Sequence, residues 1–171
     1  MNIKNYEFKA KVSEPEVYEK LLLALNPEFK GEDHQIDTYF NVSRGRLKLR
    51  EGNIENALIQ YERENISDSK LSKVILYRHN PDPALKEILI SQFGIRAIVE
   101  KRRKIYFLGN VKFHFDKVEN MGTFMEVEAI DTDNSFTRNE LKAQCDYFLN
   151  YFSLSTSDLL SESYSDMIMQ Q

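Results

Sequence analysis

Alternation of charged and apolar residues with a period of two is the feature that most constrains the fold of this chain. The clearest case is Arg46-Leu47-Lys48-Leu49-Arg50, where three basic residues alternate with two leucines. Since successive side chains of a β-strand point to opposite faces, this segment predicts a strand with one basic face and one apolar face. The same period recurs in other segments, including residues 5–12, 111–118 and 123–130.

The order of the predicted elements favours an antiparallel sheet. About eight strands follow one another, many of them separated only by hairpin-length loops, whereas a parallel sheet would need a helix between nearly all strands. Helices are predicted after Ser13, whose S-x-x-E pattern with Glu16 is typical of a capping box, after Pro81, and in two C-terminal segments, 137–154 and 155–168. The chain is therefore predicted to be an α+β protein, an antiparallel barrel or strongly curved sheet with helices packed outside.

The charged rows allow two orientations of the sheet. In the first, each row faces water and the apolar face of the strand covers the core. In the second, the charged rows line the interior and the apolar residues face outward beneath the helices. The second is favoured because bases concentrate on some strands while adjacent carboxylates, Glu126 and Glu128, concentrate on another. Buried charges must be compensated, so this interior would suit a triphosphate with bound divalent metal ions.

Composition excludes several classes of protein. The formal net charge of −4 and the pI near 5.5 argue against binding of nucleic acid or of an anionic membrane through the overall field. Cys145 is the only cysteine, so neither an internal disulfide nor a cysteine-rich zinc site is predicted. The N-terminus lacks the continuous apolar stretch of a signal peptide and no long apolar run follows, which predicts a cytoplasmic location.

Four segments together resemble the CYTH family, which includes class IV adenylyl cyclases, thiamine triphosphatases and inorganic triphosphatases. They are NYEFKAKV, DTYFNVSRGRLKLRE, VEKRRKIYFLGNVKFHFDKVENMG and GTFMEVEA, and their order and spacing match as well as their residues. The resemblance covers nearly the whole chain. It implies a closed eight-stranded antiparallel β-barrel, the triphosphate tunnel, in a single domain over residues 1–171.

The resemblance also implies a set of site residues. The family motif E-x-E-x-K corresponds to Asn5, Glu7 and Lys9, so an amide replaces its first glutamate; a second alignment, on Glu7, Lys9 and Lys11, is weighed as the alternative. The residues implied to bind triphosphate are Lys9, Lys11, Lys48, Arg50, Lys101, Arg103 and Lys112. The implied ligands of Mg²⁺ or Mn²⁺ are Glu7, Asp116, Glu126 and Glu128, of which Glu7, Glu126 and Glu128 are also implied to be catalytic.

Residues two apart on a strand have the same parity and point to the same face, which predicts the orientation of the neighbours of these site residues. Arg102 and Lys104 have the opposite parity to Lys101 and Arg103 and should point outward. His114 also has the inward parity. It is predicted either to contact phosphate or to be a polar residue whose hydrogen bonds are satisfied within the protein. Two further arginines, Arg46 and Arg63, are placed either at the tunnel mouth or in solvent.

Three classes of function are considered from the sequence features. The first is a metal-dependent enzyme that acts on a small-molecule triphosphate, in which similarity of the segments leans toward the class IV cyclase branch over the hydrolase branch. The second is a non-catalytic module that binds nucleotide or polyphosphate, which the loss of a charge at Asn5 keeps open. The third, a lipid-binding barrel with an apolar interior, conflicts with the parity of the basic row on residues 46–50. The sequence leaves open whether the protein is a monomer or a homodimer.

Overall fold

Eight antiparallel strands close into a barrel in the computed structural model, which describes residues 2–62 and 70–170. The strands are β1 (Asn2–Lys11), β2 (Glu28–Phe40), β3 (Arg46–Gly52), β4 (Ala57–Glu62), β5 (Lys70–Arg78), β6 (Ile95–Leu108), β7 (Val111–Val118) and β8 (Gly122–Asp131). Their order around the barrel is β1-β5-β4-β3-β2-β6-β7-β8, and β8 pairs with β1 to close it. The predicted fold class is therefore confirmed. Arg63 lies outside the described residues.

Short connections explain why most sequence neighbours are also neighbours in the sheet. In the β2–β3 hairpin Phe40 pairs with Leu47, and the turn contains Gly45 at a φ of +64°. In the β6–β7 hairpin only Gly109 and Asn110 separate the paired residues Leu108 and Val111, as in a tight two-residue hairpin turn.

Four helices accompany the barrel, and they are α1 (Pro15–Leu23), α2 (Pro83–Phe93), α3 (Arg138–Tyr151) and α4 (Tyr164–Ile168). Helices α2 and α3 pack on apolar residues of its outer face, whereas α4 places Tyr164 against Phe124 at the interior. Outside β7, Phe113 packs edge-to-face on Phe148 of α3, with ring centroids 4.8 Å apart. Outside β2 and β3, Phe40 and Leu49 form a cluster with Leu89 of α2. On β3, β7 and β8 the apolar residues thus face outward and the charged residues face inward, whereas apolar residues such as Ile59 of β4 and Val74 of β5 line the interior.

Two details of the predicted helices are wrong. Helix α1 begins at Pro15 with Glu14 as its cap residue and without a side-chain cap, so the capping box predicted from Ser13 does not form; proline fits the first helical turn because it lacks a backbone donor. The second C-terminal helix is interrupted after a short 3₁₀ turn at Thr156–Asp158, because Leu159 pairs with β1 and the Leu160 amide donates to the Lys9 carbonyl at 2.8 Å.

Candidate functional site

All eight strands contribute side chains to one cavity inside the barrel. Its volume is about 740 Å³, which is in the range of sites that bind small molecules. Apolar residues such as Ile3, Ile54 and Phe107 line it together with many ionic groups. The ionic lining residues predicted from the sequence are Glu7, Lys9, Lys48, Arg50, Lys101, Arg103, Lys112, Glu126 and Glu128.

Parity on β6 separates the basic run into two faces, as expected. The side chains of Lys101 and Arg103 are 0% and 3% exposed. In contrast, Arg102 is 64% exposed and lies 3.9 Å from Glu32 on the outside of the barrel. Lys104, also outside, pairs with a glutamate of α1. The inward orientation of the charged rows is thus present at this strand.

The first ionic cluster surrounds Asp37 of β2, which the sequence analysis did not identify. Its carboxylate accepts from Lys48 at 3.0 Å and Lys101 at 2.7 Å, and from Arg50 through Nε and Nη2 at 2.8 and 2.9 Å. Burial alone would raise the pKa of Asp37, but the three cations outweigh it and hold the pKa well below its ordinary value. One buried carboxylate therefore holds three predicted phosphate-binding groups together.

The second cluster contains Glu55, in the turn between β3 and β4. Its carboxylate accepts from Arg50 Nη1 at 3.0 Å, from Gln35 Nε2 at 3.1 Å and from Lys112 Nζ. The turn is fixed by Asp33, which accepts from the amides of residues 54 and 55, both at 2.9 Å. Glu55 thus stands between two predicted phosphate-binding cations, and it was not predicted because a turn has no strand parity.

The third cluster surrounds Glu126 of β8. It accepts from Lys9 Nζ at 2.8 Å and from Arg103 Nη2 at 3.0 Å, and His114 Nδ1 lies 3.2 Å away. Burial alone would raise the pKa of Glu126, but Lys9 and Arg103 outweigh it and hold the pKa well below its ordinary value. Glu126 is therefore ionised, and both of its oxygens already accept from these cations.

A group of possible metal ligands forms beside this cluster. His114, Glu126 and Glu128 each offer one ligand atom, and these atoms lie within 4.8 Å of one another. Burial, with Arg103 and Lys112 nearby, lowers the pKa of His114 to about 3, so its ring is neutral. Its Nε2 is buried and has no hydrogen-bond partner among the described residues. Carboxylate oxygens and a neutral imidazole suit a divalent ion such as Mn²⁺, so this donor set fits the predicted cofactor.

Glu7 lies next to this group, and it is joined by Asn5. Glu7 pairs with Glu128 in the β1–β8 register, and Asn5 Nδ2 lies 3.1 Å from Glu7 Oε2. Burial raises the pKa of Glu128 to about 7, and the neighbouring carboxylates act in the same direction. Asn5 Oδ1 is buried without a partner in the described part of the chain. Asn5 itself also lines the cavity.

Asp116, which is predicted to be a metal ligand, is already engaged by other side chains of the protein. It is 2% exposed, does not line the cavity, and receives a bidentate interaction from Arg103. Its Oδ2 also accepts from the hydroxyl of Tyr164 at 2.7 Å. Both carboxylate oxygens are thus used in holding Arg103 toward the cavity, and the metal role of Asp116 has no support in this geometry. Tyr164 was missed because nothing in its local sequence indicates a contact with β7.

Two further predicted bases lie away from the cavity. Lys11 has the inward parity of β1 but is exposed at the end of the strand, with Nζ 5.8 Å from the ring centre of Phe124, so triphosphate contact by Lys11 has no support here. Arg46 donates to Asp166 of α4 at 2.7 Å. It therefore ties the C-terminal segment to the barrel.

Comparison with known proteins identifies the same fold and family pattern. The model of the CYTH domain family matches residues 4–145. Adenylate cyclase CyaB of Aeromonas hydrophila is 27% identical over 183 residues, covering 96% of this chain and 88% of that protein.

No helix among the described residues has the length and apolar character needed to span a membrane.

Solved structures share the barrel at lower sequence identity. A conserved hypothetical protein from Pyrococcus furiosus has a TM-score of 0.79 at 23% identity, with 95% of this chain and 98% of that chain covered. HpAC1 from Hippeastrum, a protein named for a dominant triphosphatase activity, has a TM-score of 0.62 at 15% identity, with 99% of this chain and 94% of that chain covered. At these identities the likeness is one of fold.

Proposed function

Because the chain belongs to the CYTH domain family, we propose that it is a metal-dependent enzyme that acts on a nucleoside or organic triphosphate, of the class IV adenylyl cyclase type. The observation that carries the proposal is the arrangement of one cavity, in which a basic wall faces a group of carboxylates with a neutral histidine. The similarity to adenylate cyclase CyaB supports the cyclase branch.

The charges of the interior suit a metal-bound triphosphate better than a free one. The clusters among the described residues balance six bases, Lys9, Lys48, Arg50, Lys101, Arg103 and Lys112, against six carboxylates, Glu7, Asp37, Glu55, Asp116, Glu126 and Glu128. A triphosphate adds several negative charges to this balance, and uncompensated buried charge is costly. Divalent cations that enter with the substrate would supply the compensation.

The chain's own residues have distinct roles in this proposal. Lys48, Arg50 and Lys101 would hold the phosphate chain, and Asp37 fixes their positions. Glu126, Glu128 and His114 would hold the divalent ion, which when bound neutralises developing charge on the phosphate oxygens. Such a site works by orientation and electrostatic stabilisation, so it needs no covalent nucleophile.

Two reactions can follow from this binding mode. In a cyclase the ribose 3′-hydroxyl attacks the α-phosphorus and pyrophosphate leaves, whereas in a hydrolase water attacks the terminal phosphorus. The triphosphatase activity named for HpAC1, a protein of the same fold, makes the hydrolase the second candidate. Organic substrates are favoured over inorganic tripolyphosphate because Ile3, Ile54 and Phe107 give the cavity an apolar part that phosphate alone would not contact.

Product analysis tests the proposal directly. The protein is incubated with Mg²⁺ or Mn²⁺ and with ATP, thiamine triphosphate or tripolyphosphate, and the products are separated. Cyclic AMP with pyrophosphate supports the cyclase, and phosphate release supports the hydrolase. Glu126→Gln should abolish turnover, while the outward Arg102→Ala should retain it. Absence of turnover and of binding with every substrate would reject the proposal.

A further inference from the structure

We propose that Glu55 is an internal competitor of the substrate: its carboxylate occupies an anion subsite between Arg50 and Lys112, and a phosphate group must displace it in order to bind there. The inference rests on the proposed function, since it concerns the same cavity. In this role Glu55 sets the affinity of the site for anions, and the subsite that it occupies takes one phosphate group of the triphosphate.

The contacts of Glu55 are those that a phosphate group would make. One carboxylate oxygen faces Lys112 and the other faces Arg50 Nη1 at 3.0 Å. Carboxylate and phosphate oxygens are recognised by the same charge-assisted hydrogen bonds from lysine and arginine. The side chain of Glu55 also lines the cavity itself. An anion that enters this part of the cavity therefore meets two cations that already have a partner.

Comparison with Asp37 shows why Glu55 is the carboxylate that can leave. The side chain of Asp37 is 1% exposed, lies within a strand and contacts three cations. The side chain of Glu55 is 27% exposed and belongs to the turn between two strands. Rotation about its side-chain bonds can bring the carboxylate into water without movement of the turn, whose amides stay bound to Asp33. Displacement of Glu55 thus leaves a solvated charge, whereas displacement of Asp37 would leave a buried one.

Competition of this kind excludes weakly binding anions. A single phosphate gains only the contacts that Glu55 already makes, so the exchange brings little net free energy. Lys48 and Lys101 line the same cavity, so a triphosphate has further cations to contact, and these additional contacts would favour the exchange. The carboxylate therefore keeps the subsite closed to abundant small anions while the longer chain can still open it.

Substitution of Glu55 by glutamine removes the competing charge and nearly preserves the shape. Calorimetric titration with inorganic tripolyphosphate, and separately with orthophosphate, compares the wild-type protein with Glu55→Gln in metal-free buffer and with Mn²⁺. The variant should bind tripolyphosphate about tenfold more tightly, the equivalent of roughly 1.4 kcal/mol, and should bind orthophosphate measurably. The matched control is Glu51→Gln, which removes an outward carboxylate of β3 that pairs with Lys86, and it should bind as the wild type does.

The outcomes separate this inference from the proposed function. If Glu55→Gln binds tripolyphosphate no more tightly than the wild type under both conditions, the competitor role is overturned. The proposed function would still stand in that case, provided that the wild type binds tripolyphosphate. Failure of both proteins to bind any triphosphate would overturn both. If the variant does not fold, a crystal structure of the wild type with tripolyphosphate decides the matter. Glu55 should then be turned away from Lys112 with phosphate oxygens in its place, and an unmoved Glu55 would contradict the inference.

Discussion

Lys101 and Asp37 form an ion pair at 2.7 Å in which the two side chains are 0% and 1% exposed. The pair joins two neighbouring strands, β2 and β6, in the wall of the cavity. Burial, together with the nearby cations Arg50 and Arg103, lowers the pKa of Lys101 to about 7 in spite of Asp37. Lys101 is therefore a base of the wall whose charge depends on pH near neutrality.

Triphosphate binding should take up a proton at Lys101. Below pH 7 the side chain is charged in the free protein, and above pH 7 it becomes neutral. A bound polyanion favours the charged form and raises the pKa, so at pH 8 about one proton should be taken up per ligand. Affinity should fall as the pH rises above 7, by up to about tenfold per pH unit. Calorimetry in buffers of different ionisation enthalpy measures this uptake.

Lys101→Met provides the control for proton uptake, since methionine fills similar space without a titrating group. With ATP as the ligand, whose terminal phosphate is already ionised at pH 8, the variant should bind more weakly and with no proton uptake. Uptake that persists in the variant would assign the proton to a different group.

Removal of the charge on Asp37 should destabilise the fold. Asp37→Asn leaves three cations close together without their shared buried partner. Loss of one partner of a buried ion pair costs about 3–5 kcal/mol of unfolding free energy, which urea denaturation measures. Tripolyphosphate should restore much of this loss because it supplies negative charge to the same cations. Asp146→Asn is the control, since its pair with Lys142 is 43% exposed on both sides and contributes about 0–1 kcal/mol.

The sequence determines which residues face the cavity much better than it determines their partners. Strand parity placed Lys48, Arg50, Lys101 and Arg103 inside and Arg102 outside, because the period of a strand is fixed by backbone geometry alone. The barrel could also be predicted, from the order of the hairpins and from the resemblance to the CYTH family.

The ion-pair and hydrogen-bond partners of these residues could not be predicted in the same way, because they depend on how segments distant in sequence pack together. Asp37 meets Lys101 only because β2 pairs with β6, and Asp116 meets Tyr164 only because the C-terminal segment folds back on the barrel. Lys11 has the right parity but lies at the end of β1, which parity does not reveal. Local alternation therefore predicted the walls of the cavity, and tertiary packing decided which charges cancel.

Asn5→Glu should make the metal-free protein less stable and the metal-bound protein more stable than the wild type. Asn5 donates to Glu7, which itself lies opposite Glu128, so a glutamate at position 5 brings a third carboxylate into one buried region. Like charges there are unfavourable without a cation and favourable with one. The melting temperature should fall without metal and should rise with Mn²⁺ by more than it does in the wild type.

Asn5→Gln tests whether that effect comes from charge. Glutamine has the length of glutamate without its charge, so it should reproduce any steric loss of stability but not the larger response to Mn²⁺. Equal responses of the two variants to Mn²⁺ would show that position 5 does not contact the ion.

Asp116→Asn should lower stability much more than metal affinity. Asp116 is bound on both oxygens by Arg103 and Tyr164, outside the cavity. Its neutralisation leaves the buried Arg103 with Glu126 as its remaining carboxylate partner in the described chain, at a cost of about 3–5 kcal/mol of unfolding free energy. Electron paramagnetic resonance should detect Mn²⁺ bound by this variant but not by Glu126→Gln.

Tyr164→Phe refines the test of Asp116, because it removes one hydrogen bond and keeps the ion pair. The phenylalanine variant should lose only about 1 kcal/mol of unfolding free energy and should bind Mn²⁺ as the wild type does. If Asp116→Asn instead kept full stability and lost Mn²⁺ binding, Asp116 would be a metal ligand, as the family resemblance implies, and its contact with Arg103 would have to open when metal binds. The loss of unfolding free energy in Asp116→Asn, compared with its loss of Mn²⁺ affinity, therefore decides whether this carboxylate positions an arginine or holds the ion.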